Sequence, residues 1–117
     1  MRGPEQRVAD IRAAIARCVR YAEDLDAPEG HAAEMAVDAI ERNIAVIGEA
    51  ANNLPDAVTE ALPQIDWPAI RGMRNILIHE YFDVDQAVVR DVIDTKLRAL
   101  EDALAQYETQ DAERPEK

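Results

Sequence analysis

The sequence predicts an all-α protein, an up-and-down antiparallel bundle of four to five helices, and three observations carry that prediction. Hydrophobic residues make up 48% of the 117 residues but aromatic residues only 4%, a composition typical of bundles packed by Ala, Ile, Leu and Val. The apolar residues recur at helical spacing along most of the chain. No stretch alternates apolar and polar residues as a half-buried strand does. We expect one domain over residues 1–108 and a polar, flexible tail over 109–117.

The first half of the chain predicts two long helices joined by a short turn. Pro4 suits the start of the first helix, which we expect to run from about Glu5 to Leu25. The turn over residues 26–30 contains Pro28 and Gly30 and separates it from the second helix. One apolar stripe marks that second helix: Ala36, Ile40, Ile44, Ile47, Ala51 and Leu54.

Three residues divide the next segment into a short third helix and a longer fourth one. Pro55 suits the start of the third helix, and Pro63 ends it because proline disfavours helical geometry in the residue before it. Asp66 is placed to cap the fourth helix, which should reach about Tyr81. This fourth helix is apolar almost throughout, so we expect it to be buried on several sides, in the bundle or against another subunit.

A long last helix is predicted after two aspartates that suit a helix cap, Asp83 and Asp85. Its apolar positions are Val88, Val89, Val92, Leu97, Leu100 and Leu104. Beyond Tyr107 the residues are polar, and we expect this end to fray.

Composition also limits the classes of function. Cys18 is the one cysteine of the sequence, so an intramolecular disulfide is excluded and a zinc site would lack paired thiolates. No apolar run approaches the roughly 18 residues that span a bilayer, and the N-terminal residues lack the apolar segment of a signal peptide. We therefore expect a cytoplasmic protein with no membrane partner.

Charge argues against nonspecific binding of nucleic acid, because the formal net charge is −11 and phosphate neutralisation needs clustered Lys and Arg. Any contact with RNA must therefore be local. Residues 67–79 contain no Asp or Glu, although they include Arg71, Arg74 and His79. Exclusion of acids from a mostly buried helix would give the same composition, so this observation alone does not separate the two interpretations.

A short motif begins in this acid-free segment: four residues separate Arg74 from His79, and one residue separates His79 from Tyr81. This spacing resembles the motif of the HepT-like branch of the HEPN superfamily. The resemblance extends to the second helix, in Arg42-Asn43 and residues 47–51, and to residues 65–67 before the fourth helix. Coverage runs from about residue 36 to residue 92. Asp83 departs from the pattern, because similar sequences often have Gly after Tyr-Phe.

The resemblance implies a metal-independent endoribonuclease that acts as the toxin of a toxin–antitoxin module and needs no cofactor. It also implies a partner, a small MntA-like nucleotidyltransferase antitoxin that adenylylates Tyr81 and so neutralises the toxin.

The residue types are suited to RNA cleavage without that comparison. RNA supplies its own nucleophile, so the reaction needs a base for the 2′-hydroxyl and a cation for the charge that develops on the phosphate. His79 suits the proton transfer and Arg74 the phosphate. Asn75 would orient the phosphate or the imidazole. Glu49 is either a solvated residue of the second helix or the ion-pair partner that holds Arg71 or Arg74.

Helix geometry sets a condition on this site. Arg74 and His79 are five residues apart, which is about 140° around an ideal helix, so they do not share one face. Three arrangements would let both side chains act on one phosphate. The long Arg74 side chain extends around the helix, the helix is distorted near its end, or a two-fold homodimer brings together the motifs of two chains. We favour the homodimer, since it would also bury the fourth helix.

Simpler interpretations stand beside the functional ones. Cys18 and Trp67 suit the core, Gly48 suits a close approach of two helices, and His31 is placed at a turn as a cap or surface residue. The alternative function is a non-catalytic module: the same bundle would bind a nucleotidyltransferase and accept its modification, without cleaving RNA. The net charge of −11 is the main observation in favour of it.

Overall fold

The protein is an all-helical bundle in the computed structural model, which describes residues 3–79 and 86–113. Within these residues the helices are α1 (Pro4–Tyr21), α2 (Ala32–Asn52), α3 (Asp56–Ala61), α4 (Trp67–His79), α5 (Gln86–Asp91) and α6 (Arg98–Glu113). No strand occurs in that part of the chain. The all-α prediction is therefore confirmed, while the expected caps Asp83 and Asp85 lie outside the described residues.

The first two helices form the largest helix pair, and α2 also packs along α4, so α2 is the central helix of this half. Pro4 occupies the first turn of α1, as predicted. The helix ends at Tyr21 and one 3₁₀ turn, Ala22–Asp24, follows it. Gly30 has a φ of 76° in the turn before α2. This is a left-handed backbone conformation that residues other than glycine adopt only at an energetic cost.

The predicted apolar stripe of α2 is buried along its whole length. Each of its six residues has at most 6% of its surface exposed: Ala36, Ile40, Ile44, Ile47, Ala51 and Leu54. They meet the buried side of α1, where Cys18 has an exposed fraction of 0%. Burial raises the pKa of the Cys18 thiol to about 12, because a thiolate loses its hydration there. The core assignment of Cys18 is confirmed.

The short helix α3 is tied to the start of α4 by Trp67. Its indole Nε1 donates to the carbonyl oxygens of Thr59, at 3.2 Å, and Leu62, at 3.3 Å, while the ring is buried. The Oδ1 atom of Asp66 accepts a hydrogen bond from the backbone N–H of Ala69 at 3.1 Å. Asp66 is thus the N-cap that the sequence predicted, and the direction in which α4 leaves this junction is set by two local interactions.

The last helical region runs from Gln86 to Glu113 without a break, but it is not uniform. Residues Val92–Leu97 form a π-helical turn between α5 and α6. In this turn the Thr95 hydroxyl donates to the carbonyl oxygen of Asp91 at 2.7 Å, which competes with the regular helical ladder. The helix also continues to Glu113, into the stretch expected to be a flexible tail.

Arg12 links the first helix of the chain to the last one. The Arg12 guanidinium of α1 donates to Glu101, at 2.8 Å and 3.0 Å, and to Glu108 of α6. These hydrogen bonds raise the pKa of Arg12 above its ordinary value. The second carboxylate oxygen of Glu101 is buried and has no partner among the described residues. Arg12 is thus the main polar link between the first helix and the last one.

Candidate functional site

Helix α4 is two-sided over the part whose side chains are described, which ends at Asn75. Trp67, Ile70 and Met73 are buried in the core. Arg71, Arg74 and Asn75 are exposed on the other side. Burial on several sides is therefore not seen for these residues within a single chain, because only every third residue faces the core.

Gly48 determines how close α4 comes to α2. A Cβ atom at this position would lie 3.3 Å from the carbonyl oxygen of Arg71 and 3.7 Å from that of Ile70. Both atoms belong to the backbone, so they cannot be displaced by turning a side chain. The prediction that Gly48 permits a close helix approach is confirmed, and the helix that it admits is the one that carries Arg71 and Arg74.

A shallow groove runs between α2 and α4 at this contact, with a volume of about 320 Å³. Its lining residues are Ala45, Gly48, Glu49, Asn52, Arg71, Arg74 and Asn75. Four of the six residues predicted for the site thus line one groove, although they come from two helices. The groove presents two guanidinium groups and two amide side chains, all of which can donate hydrogen bonds to phosphate oxygens.

Glu49 lies in this groove but holds neither arginine. No ion pair joins it to Arg71 or Arg74 in the part of the chain that the structure describes. The backbone oxygen of Glu49 accepts a hydrogen bond from the Asn53 side chain at 2.9 Å. Of the two roles left open for Glu49, that of a solvated residue agrees with the structure of the single chain. The guanidinium groups of Arg71 and Arg74 are therefore not engaged by Glu49.

Two predicted site residues cannot be placed as side chains. The backbone of His79 is the last residue of α4, and its side chain is outside what the structure describes. Tyr81 lies outside the described residues altogether. Their assignments as base and as modified residue therefore remain predictions.

A second groove continues the first on the other side of Glu49. It has a volume of about 330 Å³ between α1 and α2, and its lining residues are Arg7, Asp10, Ala13, Arg17, Val46, Glu49 and Ala50. Together the two grooves carry four arginines and two carboxylates, although the whole chain has a net charge of −11. Sequence reasoning missed Arg7 and Arg17, since their spacing along α1 does not show which groove they reach.

Outside the two grooves, three arginines of the described chain pair with carboxylates. Arg12 binds Glu101 and Glu108, Arg90 binds Asp26 at 2.9 Å, and Arg98 lies 4.0 Å from Asp94. Arg17, by contrast, donates to the amide oxygen of Asn43 at 3.4 Å, which leaves its charge uncompensated. Arg17 thus differs from these three arginines, because no carboxylate of the described chain pairs with it.

The remaining predicted residues follow the simpler interpretations. His31 is exposed and precedes the first residue of α2, where its Nδ1 lies 3.6 Å from a carboxylate oxygen of Glu34. Among residues 3–79 and 86–113, no three His, Cys, Asp or Glu side chains are grouped as metal ligands. No helix in those same ranges combines the length and the apolarity that crossing a bilayer requires.

The described chain belongs to the all-α class of protein, and it exposes Arg71, Arg74 and Asn75 over one groove. Comparison with known families makes the class specific, because residues 11–107 match the family described as "Ribonuclease HepT-like". The chain belongs to this HepT-like family, and the resemblance drawn from residues 42–51 and 65–81 is confirmed.

Several curated proteins are similar to the chain. It is 31% identical over 77 residues to "Putative RNase MJ0127" of Methanocaldococcus jannaschii, which covers 62% of this chain and 64% of that protein. It is 40% identical over 60 residues to "Putative RNase TTE0752" of Caldanaerobacter subterraneus, covering 51% and 54%. It is 41% identical over 51 residues to "Probable ribonuclease HepT" of Thermococcus cleftensis, covering 44% and 46%.

The chain thus spans between about half and two thirds of the length of the relatives just described. No solved structure matches the chain.

Proposed function

We propose that this protein is the toxin of a toxin–antitoxin module, a cytoplasmic endoribonuclease that cleaves RNA without a metal ion. The observation that supports it most is the α2–α4 groove, which brings Arg71, Arg74 and Asn75 together in a chain that is otherwise strongly acidic. Membership of the ribonuclease HepT-like family supports the same activity. RNA is the substrate class that suits arginines combined with a histidine.

The proposed reaction uses the 2′-hydroxyl of the RNA as its nucleophile. His79 removes the proton of that hydroxyl, and the 2′-oxygen forms a bond to phosphorus while the bond to the 5′-oxygen breaks. Arg74 binds the non-bridging oxygens, where negative charge increases in the transition state. The 5′-oxygen leaves with a proton from solvent or from the protonated histidine, so the products are a 2′,3′-cyclic phosphate and a 5′-hydroxyl.

Arg71, Asn75 and Glu49 have supporting roles in this proposal. Arg71 and Asn75 line the same groove as Arg74, so they would hold the neighbouring phosphate and fix the strand in place. Glu49 is the one carboxylate of that groove. It limits how many phosphates bind there, since a phosphate close to it is repelled.

The proposal includes a homodimer. Arg74 and His79 are about 140° apart on their own helix, so a two-fold arrangement that brings together α4 from two chains gives each phosphate an Arg and a His. A dimer would also double the number of arginines at the site, which supports RNA binding by an acidic chain.

Neutralisation is proposed to occur at Tyr81. A cognate, MntA-like nucleotidyltransferase would transfer an adenylyl group from ATP to the phenol oxygen, two residues after the proposed catalytic histidine. The phenol loses its proton as its oxygen bonds to the α-phosphorus, and pyrophosphate leaves. The added phosphate is negative and bulky, so it would repel RNA and block access to Arg74.

The decisive experiment is cleavage of RNA by the purified protein in EDTA, compared with a His79→Ala variant of equal thermal stability. We expect cleavage in the wild-type reaction that chelation does not reduce, with 2′,3′-cyclic phosphate ends, and none in the variant. Equal products from both proteins would contradict the nuclease proposal. They would support the second candidate, a non-catalytic module that the nucleotidyltransferase binds and modifies, which the net charge of −11 favours.

A further inference from the structure

A buried asparagine holds Arg17 over the groove between α1 and α2. Asn43 is only 7% exposed, and its Oδ1 atom accepts a hydrogen bond from Nη1 of Arg17 at 3.4 Å. Its Nδ2 atom donates to the carbonyl oxygen of Ala39 at 2.8 Å. A carbonyl oxygen only accepts hydrogen bonds and a guanidinium only donates them, so these two contacts determine which end of the amide faces Arg17.

The contact with Asn43 orders the Arg17 side chain without neutralising it. No carboxylate of the described chain pairs with Arg17, and the side chain is exposed in the groove that it lines. The amide oxygen is a neutral acceptor, so the guanidinium keeps its charge and its remaining N–H donors. A side chain that is already held in place loses less conformational entropy on binding. Arg17 is therefore preorganised for an anion.

A second cation lines the same groove at its other end. Arg7 precedes Arg17 by ten residues on α1, which is about 15 Å along the helix axis. Asp10 lies between them and accepts a hydrogen bond from Gln6 at 3.0 Å. A carboxylate between two guanidinium groups repels a phosphate placed at the centre. Two separated phosphates, such as those of a nucleic-acid strand, suit this groove better than one compact anion.

The α1–α2 groove adjoins the α2–α4 groove across a single helix. Glu49 lines both grooves, and a helix with its side chains is about 10–12 Å across. Arg7 and Arg17 lie on one side of this helix, and Arg71 and Arg74 lie on the other. A strand that leaves the α2–α4 groove over α2 therefore reaches the second pair of arginines within a few nucleotides.

We propose that the α1–α2 groove is a second phosphate-binding subsite for single-stranded RNA, in which Arg17, held by Asn43, binds a phosphate other than the one that is cleaved. This inference deepens the proposed function and rests on it for the identity of the strand. Asn43 is a positioning residue, because it acts through Arg17 and does not itself touch the RNA.

The part of α2 between the two grooves suits a ribose or a base better than a phosphate. Val46 and Glu49 are three residues apart and therefore neighbours on the helix surface. Val46 is 36% exposed, which offers an apolar contact to a ring that crosses α2. The carboxylate of Glu49 repels phosphates. The strand is thus directed to place its phosphates at the arginines on either side of this helix.

The two grooves together predict that affinity depends on strand length. A short RNA fills the α2–α4 groove alone, whereas a longer one also reaches Arg17. The second contact is then made by a strand that is already bound, so its contribution is that of an intramolecular event. Single-stranded RNA is the expected form, because an unpaired strand can follow a surface that bends over a helix.

Binding of RNAs of two lengths tests the subsite. Fluorescence anisotropy is measured in EDTA on the His79→Ala protein, with labelled RNAs of about 4 and about 12 nucleotides, lengths that single-strand-binding grooves cover. We expect the longer RNA to bind at least about 30-fold more tightly. Addition of Arg17→Gln should lower this ratio at least about fivefold, because a charge-assisted hydrogen bond is lost.

Arg98→Gln in the same His79→Ala protein is the matched control. It removes the same charge from an exposed arginine of α6 that lines neither groove. The ratio of the two affinities should therefore stay unchanged. A loss as large as that of Arg17→Gln would show a general effect of net charge and would overturn the subsite.

Salt dependence separates the charge of Arg17 from the positioning by Asn43. For the longer RNA, the slope of log affinity against log salt should become shallower by about 0.7 with Arg17→Gln, since one phosphate contact is lost. Asn43→Ala keeps the charge, so it should lower the affinity about threefold with little change of slope. Arg17 is exposed, so its replacement leaves the core intact and decides the proposal even where Asn43→Ala lowers stability.

The results distinguish this inference from the proposed nuclease. An unchanged ratio with Arg17→Gln, or an equal loss for the short and the long RNA, would overturn the second subsite. Cleavage by the wild-type protein would leave the nuclease standing in that case. If the ratio falls as expected but the wild-type protein does not cleave RNA, the subsite stands and the nuclease is overturned.

Discussion

The carbonyl oxygen of Arg71 lies 3.3 Å from the position that a Cβ atom would take at Gly48. This contact brings the backbones of α2 and α4 together at the level of the groove. Since both atoms of the contact are held by helices, any larger residue at position 48 must push α4 outward. The position of Arg71 and Arg74 therefore depends on a residue that carries no functional group.

The two helical glycines give opposite predictions for the same substitution. Gly48→Ala gains about 1 kcal/mol of helix propensity, but a displaced backbone costs about 1–3 kcal/mol, so we expect a net loss of about 1 kcal/mol. Gly72→Ala is the matched control, because its Cβ would meet nothing within 4 Å. It should raise the free energy of unfolding by about 1 kcal/mol. Urea denaturation measures both, and equal effects would contradict the contact.

Removal of the guanidinium of Arg12 should weaken the connection between α1 and α6. Arg12→Met keeps much of the apolar stem but loses the hydrogen bonds to Glu101 and Glu108. It also leaves the partly buried carboxylate of Glu101 without its partner. The side chains are about one third exposed, so we expect a loss of only about 1–2 kcal/mol, smaller at high salt.

The control for this prediction is Arg98→Met. Arg98 and Asp94 are 64% and 58% exposed and 4.0 Å apart on one helix, a geometry that contributes about 0.3–0.5 kcal/mol. Its thermal midpoint should be nearly that of the wild type. A destabilisation as large as that of Arg12→Met would show that the long-range ion pairs are not the cause.

The thiol of Cys18 should be unreactive in the folded protein. Its pKa is raised to about 12 by burial, compared with about 8.5 for an exposed thiol. At pH 8 the thiolate is therefore scarce as well as inaccessible, and a thiol reagent should modify the protein only after addition of denaturant. Rapid, complete modification of the native protein would contradict the assignment.

The same raised pKa predicts how stability depends on alkaline pH. The folded state holds the thiol proton more tightly than the unfolded state, so the contribution is complete below about pH 8.5 and is lost as pH rises towards 12. A Cys18→Ala variant should show a shallower decline in the free energy of unfolding over this interval. Parallel pH profiles for the two proteins would exclude the effect.

Arg74 should matter to activity and not to stability. Arg74→Gln removes the cation of the proposed reaction, and we expect cleavage to fall by at least about 100-fold. Because Arg74 is exposed, the free energy of unfolding should change by less than about 0.5 kcal/mol. Arg71→Gln should lower cleavage less, by about tenfold, and Arg20→Gln on α1 should have no effect. Equal losses in all three would indicate a general charge effect.

Tyr81→Phe should retain cleavage while it escapes neutralisation by the nucleotidyltransferase. The phenol oxygen is the proposed acceptor of the adenylyl group, and the catalytic pair does not need it. Tyr107→Phe is the control, since Tyr107 is partly buried against the core and should leave modification intact. Mass spectrometry after incubation with the partner and ATP locates the adenylyl group, and its presence on Tyr21 or Tyr107 would refute the assignment.

Much of the fold was predictable because its signals are local. The apolar stripe from Ala36 to Leu54 is recognised by its helical periodicity. The N-cap at Asp66 depends only on the next three residues, and Pro4 and Pro55 affect only the adjacent backbone. The π-helical turn at residues 92–97 was not predictable, since its apolar spacing is compatible with an ordinary helix. The end of α6 at Glu113 was missed because polar residues are equally compatible with a solvated helix and with a tail.

The groove was predictable in part. Arg71, Arg74 and Asn75 are close in sequence, and the motif of the fourth helix indicated them directly. Glu49 was added to the predicted site because it belongs to the second-helix motif of residues 47–51. Arg7 and Arg17 were missed because their position in the adjoining groove results from the packing of α1 on α2, which no local pattern reports.

The link from Arg12 to Glu101 joins residues 89 positions apart in the chain. During synthesis, α1 and α2 leave the ribosome before α6 has been translated. Their apolar sides are not fully buried until Leu97, Leu100 and Leu104 have been added to the chain. The nascent protein therefore completes its core only at the end of translation.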